Sequence, residues 1–281
     1  MTLRVVTDST ADLPPHIARE LGITVVPLYI NFGVDTYRDG LDLDGDEFYR
    51  RLVESPTLPT TAAPSPSAFA EAFDSLAAET DEIICVHVSA KLSGTYNAAL
   101  VGKEQMAGRC HIEVIDSRSA SMGCGLLAIA AAKAARDGGS LGRVADMVRR
   151  AIAGTYTFVL VDSLEYLQKG GRIGKAQAFL GTVLNVKPLL TVRDGEAYPV
   201  ERVRTRRKAL NRLCELVEEL RPIEEMAILH STDPDGAEML AQRLGPLFPE
   251  SQVYRARFGP VVGTYVGPGT LGIALRQRQA D

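Results

Sequence analysis

The stretch Asp-Glu-Ile-Ile-Cys-Val-His-Val, residues 81–88, carries apolar side chains on both of its alternating faces. Successive strand residues point to opposite sides of a sheet, so this run predicts a strand covered on both sides, as parallel strands under helices are. The same alternation extends outward from it. Upstream, Leu3–Thr7 and Ile23–Leu28 read as strands. Between them a helix is expected from Asp12, its cap, through about Glu20, because Leu13, Ile17, Ala18 and Leu21 recur at helical spacing. Downstream come a helix over Ser93–Ala107, a strand over His111–Asp116, a small-residue helix over Ser121–Asp137 and a helix over Leu141–Ile152 behind Ser140. The intervening segments are less regular. Phe32–Asp46 reads as a hairpin or protruding loop, Asp46–Ser55 as a short helix, Thr57–Pro66 as a Thr/Pro-rich loop and Ser67 as the cap of a helix to Glu79. The alternation predicts an α/β fold with a Rossmann-like, doubly wound N-terminal sheet.

The pattern changes near Thr155. Phe158–Val161 reads as a strand, followed by the glycine-broken run 164–174 and a short helix over Ala176–Thr182. Lys187–Arg193 and Glu196–Val203 flank Asp194-Gly195, a strong hairpin signal. A long helix is expected over Arg206–Glu219, then strands at Met226–Ser231, Gln252–Phe258 and Gly272–Gln277 around a helix at Gly236–Leu244. Hairpins mixed with helices indicate a second, two-layer α+β domain. The division expected is 1–155 and 156–281, with a ligand between or beside the two.

The 281 residues are 46% apolar and 23% charged, with a net charge of −4. Such a chain has no overall field to attract nucleic acid or anionic lipid. Cys85, Cys110, Cys124 and Cys214 lack ligand spacing, and the four histidines are dispersed, so no metal and no cofactor is expected. The N-terminus lacks a secretory apolar segment, and no run of about 18 apolar residues occurs. The expectation is a cytoplasmic protein without stable membrane insertion.

Ligands of open α/β sheets sit beyond the carboxyl ends of the strands. Three loops of the first half qualify. In Thr7–Asp12, Ser9 or Thr10 can reach a ligand or close a local turn, and Asp8 can orient a neighbouring loop. In Thr60–Pro66, Thr60 and Thr61 form a donor pair in a proline-fixed segment. In His87–Thr95, Ser93 falls at an expected helix start, where free N–H groups favour an anion, and Gly94 removes bulk beside it. Ser93 can equally be a simple cap. It lies in no G-x-S-x-G motif, and His87 belongs to a core-facing strand, so no catalytic residue is assigned. In the second half, Lys169–Gly174 presents two positive charges, and Arg202, Arg204, Arg206, Arg207 and Lys208 cluster at a helix start. That placement favours an acidic neighbour, a phosphate or a partner, or else a solvated face. Gly267-Pro268-Gly269 marks a tight turn near Thr264 and Tyr265, either closing the fold or placing a hydroxyl over a ligand.

VVTDSTADLP (5–14), LPTTAAPSP (58–66), VSAKLSGTYNAA (88–99), VIDS (114–117), YLQKGGRIG (166–174), LNVKPLL (184–190), VRTRRKAL (203–210) and VGPGTLG (266–272) together resemble the DegV family of fatty-acid-binding proteins. The resemblance implies a two-domain fold that holds a long-chain fatty acid by its carboxylate. It also implies service as the acyl-carrying, non-catalytic subunit of a fatty acid kinase, whose separate ATP-binding subunit makes the acyl phosphate for phospholipid synthesis. The family's threonine loop, typically Thr-Ser-Gln-Pro-Ser, falls on residues 61–65. This makes Thr61, with Thr60 as its alternative, a carboxylate ligand beside Ser93, Gly94 and Tyr265. Asp8, Ser9 and Gly267 fall on supporting loops, and Arg172 and Arg204 on contacts to the kinase subunit or its phosphate. The chain departs from the pattern at Ala62-Ala63 and at Tyr265, where a histidine is common. The small-residue helix at 123–134 is expected to leave room for the acyl chain. Two other functions fit less of the pattern: a stand-alone fatty-acid carrier, and an enzyme acting on a small carboxylate or phosphate.

Overall fold

Residues 3–106, 108–181, 186–249 and 252–278 are described in the computed structural model. Strand β1 (Arg4–Asp8) runs into a 3-10 turn (Ser9–Ala11) and helix α1 (Pro15–Leu21), and β2 (Ile23–Val26) returns beside β1. The helix does not begin at Asp12. That residue has a left-handed backbone, with φ at 51°, and its carboxylate serves Ser121 and Gly259 instead. The strand expected over Ile23–Leu28 stops at Val26. Pro27 has no N–H to donate to a ladder, and the chain leaves to build β3 (Tyr29–Phe32) and β4 (Asp35–Arg38), an antiparallel hairpin of a separate sheet. After α2 (Gly45–Glu54), the expected loop at 57–66 contains β5 (Thr60–Ala62), which pairs with β3. Ser65, not Ser67, caps α3 (Pro66–Ala77), accepting the Ala68 N–H at 3.2 Å.

Next come β6 (Glu82–His87), α4 (Thr95–Gln105), β7 (His111–Asp116), α5 (Met122–Arg136) and α6 (Leu141–Ile152). The order β2-β1-β6-β7 is parallel throughout, and Ile83, Ile84, Cys85 and Val86 are fully buried, as the two-faced apolar run requires. Helix α4 starts at Thr95 with Gly94 at its cap, two residues later than expected. Its expected last residue, Ala107, lies outside the described residues.

The second half supplies β8 (Thr155–Leu160), α7 (Glu165–Lys169), a 3-10 turn (Gly174–Phe179), β9 (Lys187–Arg193) and β10 (Glu196–Val203). Then follow α8 (Arg206–Glu219), β11 (Ile223–His230), α9 (Pro234–Leu244), β12 (Val253–Arg257), α10 (Pro260–Val266) and β13 (Leu271–Gln277). Of the segments expected here, Thr182, Leu184 and Asn185 lie outside the described residues. The mixed sheet runs β10-β9-β8-β13-β11-β12, so the strand expected to close the fold lies in its middle. The glycine-rich return after Gly259 contains helix α10, not only a turn. The fold class is the expected one, a parallel α/β sheet followed by a mixed sheet with helices.

Helix α5 lies between the two large sheets and packs on β1, β6, β8, β11 and β13. Its small residues serve this close approach. A Cβ added at Gly123 would stand 2.1 Å from the Thr157 hydroxyl, nearer than atoms can approach. One apolar cluster therefore runs from Val5 and Ile84 through Leu126 and Leu127 to Leu190 and Ala274.

Candidate functional site

The strand order β2-β1-β6-β7 reverses between β1 and β6, and this switch point is where successive loops of an open sheet diverge. Asp8 ends β1 there and organises both loops. Its Oδ1 accepts the Thr10 N–H at 3.1 Å and the Thr10 hydroxyl, while Oδ2 accepts the Val88 N–H at 3.1 Å and lies 2.9 Å from His87 Nδ1. Ser9 accepts the Leu28 N–H at 3.0 Å and so pins the bend between β2 and β3. Both residues are buried or half-buried scaffolding of the loops.

Beyond Val88, a tight turn brings the Leu92 and Ser93 N–H groups onto the Ser89 carbonyl. The Ser89 hydroxyl donates across to the Gly195 carbonyl at 2.7 Å, fastening the β9–β10 hairpin to this loop. Ser93 Oγ lies 2.8 Å from Thr95 Oγ1 and accepts the Thr95 N–H at 3.3 Å. It thus bonds locally to the first residue of α4 and presents a hydroxyl on the wall of a cavity. Gly94 is also on that wall. A Cβ there would meet only Ala63, at 4.0 Å, so the protein's own packing does not demand glycine at this position.

Thr61, on β5, faces Tyr265, on α10, with their hydroxyls 2.5 Å apart. The two are 204 residues apart in sequence and meet because β5 joins the small sheet against which α10 packs. The Arg172 guanidinium lies 5.1 Å from the centre of the Tyr265 ring. It donates to the Leu92 and Gly170 carbonyls at 3.1 and 2.9 Å. Gly267 ends α10 with φ at 74°, and a Cβ there would strike the Tyr166 ring. Thr60 points elsewhere, accepting from Asn31 at 3.4 Å on the exposed side of β5. Arg204 is exposed and away from the cavity.

Thr61, Ser93, Gly94, Arg172 and Tyr265 thus share one cavity, with about 1000 Å³ of empty space including its open mouth. Val159, Val161, Leu190 and Val192 of the mixed sheet form an apolar wall, and Val262 and Val266 of α10 face it across the space. Arg172 is the one charged residue among the described lining residues. The expectation that the 123–134 helix makes room for an acyl chain is not met. Only Ala120 and Ser121, just before α5, reach the lining, because α5 itself is taken up by packing between sheets. Of the two hydroxyls weighed in the first loop, Thr10 lines the cavity and Ser9 does not, while Ser121 and Thr157 add hydroxyls that sequence reading passed over. The alternating Tyr156–Val161 and Leu189–Val192 runs were the available signal for the wall.

Within the basic cluster at the start of α8, Arg206 finds acidic neighbours. Arg206 pairs with Asp233 and with Asp162 at 3.6 Å, and Arg202 lies over the Phe179 ring. Among the described residues no group of side chains could hold a metal ion, and no helix is long and apolar enough to cross a membrane. Burial pushes the Cys85 and Cys124 thiols upward, away from the reactive thiolate form.

A family model described as DegV, uncharacterised protein, matches residues 2–278. A DegV domain-containing protein of Halalkalibacterium halodurans is 37% identical over 278 residues, spanning 97% of each chain. The solved structure of a DegV family protein from Thermus thermophilus, reported for its fatty acid binding, matches with a TM-score of 0.92 at 34% identity, over 98% of this chain and 99% of that one. DegV of Bacillus subtilis, described as a fatty acid binding protein, matches with a TM-score of 0.90 at 31% identity, over 99% and 100% of the two chains.

Proposed function

The chain belongs to the DegV family, and from that premise we propose that it binds a long-chain fatty acid and presents the carboxylate to a separate ATP-dependent kinase subunit. The observation that carries the reading is the cavity itself. An apolar wall ends at a compact group of hydroxyls, Thr61, Ser93 and Tyr265, with one guanidinium beside them. A fatty acid matches this division, having a long apolar chain and a single charged end. Each buried methylene contributes about 0.8 kcal/mol, so the wall dominates affinity while the polar group fixes the head. Residues 1–155 supply Thr61 and Ser93 with their loops, and residues 156–281 supply the wall, Arg172 and Tyr265.

In this reading Thr61, not Thr60, is the carboxylate ligand, because only Thr61 lines the cavity. Arg172 acts at the head, where it balances carboxylate charge and later the charge of an acyl phosphate. Arg204, exposed and outside the cavity, is left for contact with the kinase subunit. The chain contributes positioning of the reacting oxygen, and the partner contributes ATP and phosphoryl transfer. Mass spectrometry of lipid extracted from the purified protein is expected to find a stoichiometric fatty acid. Incubation with a DegV-partner kinase subunit and ATP is expected to convert it to acyl phosphate. Absence of any bound or exchangeable fatty acid overturns the reading. Binding without phosphorylation leaves a carrier and removes the kinase role.

A further inference from the structure

Gly259, Pro260 and Val261 make the first turn of α10, the helix that carries Tyr265. Two aspartates from distant loops hold that turn. Asp12 Oδ1 accepts the Gly259 N–H at 2.9 Å, and its Oδ2 accepts the Ser121 hydroxyl at 2.5 Å. Asp39, just after β4, is hydrogen-bonded by the Val261 N–H and the Ser9 hydroxyl. One residue earlier, the Tyr49 hydroxyl donates to the Phe258 carbonyl at 2.9 Å. The two aspartates are 8% and 4% exposed, and Asp39 Oδ2 is buried without a partner among the described residues. Asp12 and Ser121 both have positive φ, near 51° and 53°, a backbone state that costs energy for residues other than glycine.

Carboxylates suit the unpaired N–H groups at a helix start. Burying two of them beneath one seven-residue helix, with no cation bonded to either among the described residues, is nevertheless expensive. Asparagine could accept the same N–H bonds without the buried charge. Folding alone therefore gives no reason for charge at these positions, whereas a need for strong, short acceptors that fix α10 does. We propose that Asp12 and Asp39 are positioning residues for the head-group site, clamping the first turn of α10 so that the Tyr265 hydroxyl is set against Thr61 and the bound carboxylate. This inference rests on the proposed fatty-acid reading of that site. It assigns neither aspartate a contact with the ligand.

The charge environment is defined. Burial, partly offset by the Ser9 and Val261 hydrogen bonds, lifts Asp39 to about 6, with Asp8 nearby adding to the rise. Burial raises Asp12 well above the usual range, against the lowering bonds from Ser121 and Gly259 and with Asp39 and Asp8 adding to the rise. Tyr49 faces both aspartates from α2, and His230 and Arg257 stand along the same cleft.

The test compares oleate with oleyl alcohol on the full, delipidated chain carrying Asp39→Asn or Asp12→Asn. The expected result is a higher melting temperature near neutral pH together with about a tenfold loss of preference for the acid over the alcohol, the size of a weakened charge-assisted bond. A parallel loss of stability and of both ligands means a merely structural role and overturns the proposal. An unchanged preference, or tighter binding of the acid alone, overturns it as well. Amide hydrogen exchange tests the clamp apart from any ligand. Protection at Gly259 and Val261 should fall in both variants while α5 is unchanged, and in the wild type it should weaken as pH drops through about 6. Unaltered exchange removes the clamp. If the wild type fails to bind oleate but exchange responds as expected, the fatty-acid reading fails and the clamp survives.

Discussion

The parallel four-stranded sheet and the mixed six-stranded sheet contribute opposite things to the same cavity. The first sends Thr10 and Ser93 beyond its carboxyl ends, on loops held by Asp8 and Ser9, so its hydroxyls are placed by loops. The second turns strand faces to the space, and Val159, Val161, Leu190 and Val192 make a wall. Loops can place hydroxyls singly, while a sheet face offers a continuous apolar surface. Buried acids divide along the same line. Asp12 and Asp39 are held by hydroxyls and backbone N–H groups and are raised, burial being the larger influence. Glu225 on β11 is also buried, yet Arg276 and Lys133 outweigh burial and hold it below the usual glutamate range.

The largest effect that sharpens this contrast is expected at Glu225. Glu225→Gln leaves Arg276 buried and only partly compensated, and should cost about 3–5 kcal/mol in denaturant unfolding. The two kinds of acid also respond to pH with opposite signs. Because Glu225 is lowered on folding, its stabilisation is present above the usual glutamate value and is lost as pH falls through the folded value. Because Asp39 is raised, its neutral form suits the folded chain, so it adds stability as pH falls from about 6 toward the usual aspartate range. Unfolding curves of wild type, Glu225→Gln and Asp39→Asn, taken from above pH 6 down through the acid range below the usual glutamate value, check both signs, and equal slopes in all three would break the contrast.

A smaller effect is expected at the loop end of the cavity. Ser93→Ala removes one hydroxyl from a charged acceptor and should weaken oleate about tenfold or more while leaving oleyl alcohol and the melting temperature nearly unchanged. Equal loss of acid and alcohol would assign Ser93 to the wall rather than the head. The smallest effect on lipid is expected at Arg204. Under the proposed kinase role, Arg204→Glu should leave oleate affinity intact and slow phosphorylation by the proposed partner, whereas Arg172→Glu should damage both, since of the two only Arg172 lines the cavity. Equal damage to lipid binding by the two reversals would remove the partner role from Arg204.

The parts of the fold legible in the sequence are those specified locally. Asp194-Gly195 set the β9–β10 hairpin, with Gly195 at φ 83°, and α8 occupies the expected Arg206–Glu219. The two-faced run at β6 likewise announced a covered parallel strand. What escaped depends on distant partners. Strand β5 is three residues between prolines and exists because β3 lies beside it. Helix α10 carries three valines and a glycine in seven residues, poor helix formers, and is held by Asp12 and Asp39 from far upstream. At the site, Ser93 and Thr61 were marked by hydroxyls in loops, but the Thr61–Tyr265 meeting and the turn of Arg172 into the cavity require tertiary structure. The small residues of α5 were visible, and their purpose was not, because close sheet packing and spare volume leave the same composition.

The way Gly123 lets α5 wedge between the sheets has a mechanical consequence. A chain cut at Gly154 would divide one apolar cluster, leaving Leu126 and Leu127 on one fragment and Leu190 and Ala274 on the other, so each piece would expose apolar surface that the other now covers. Because that cluster is shared, swinging the two halves apart would uncover its apolar surface, which opposes a clamshell motion.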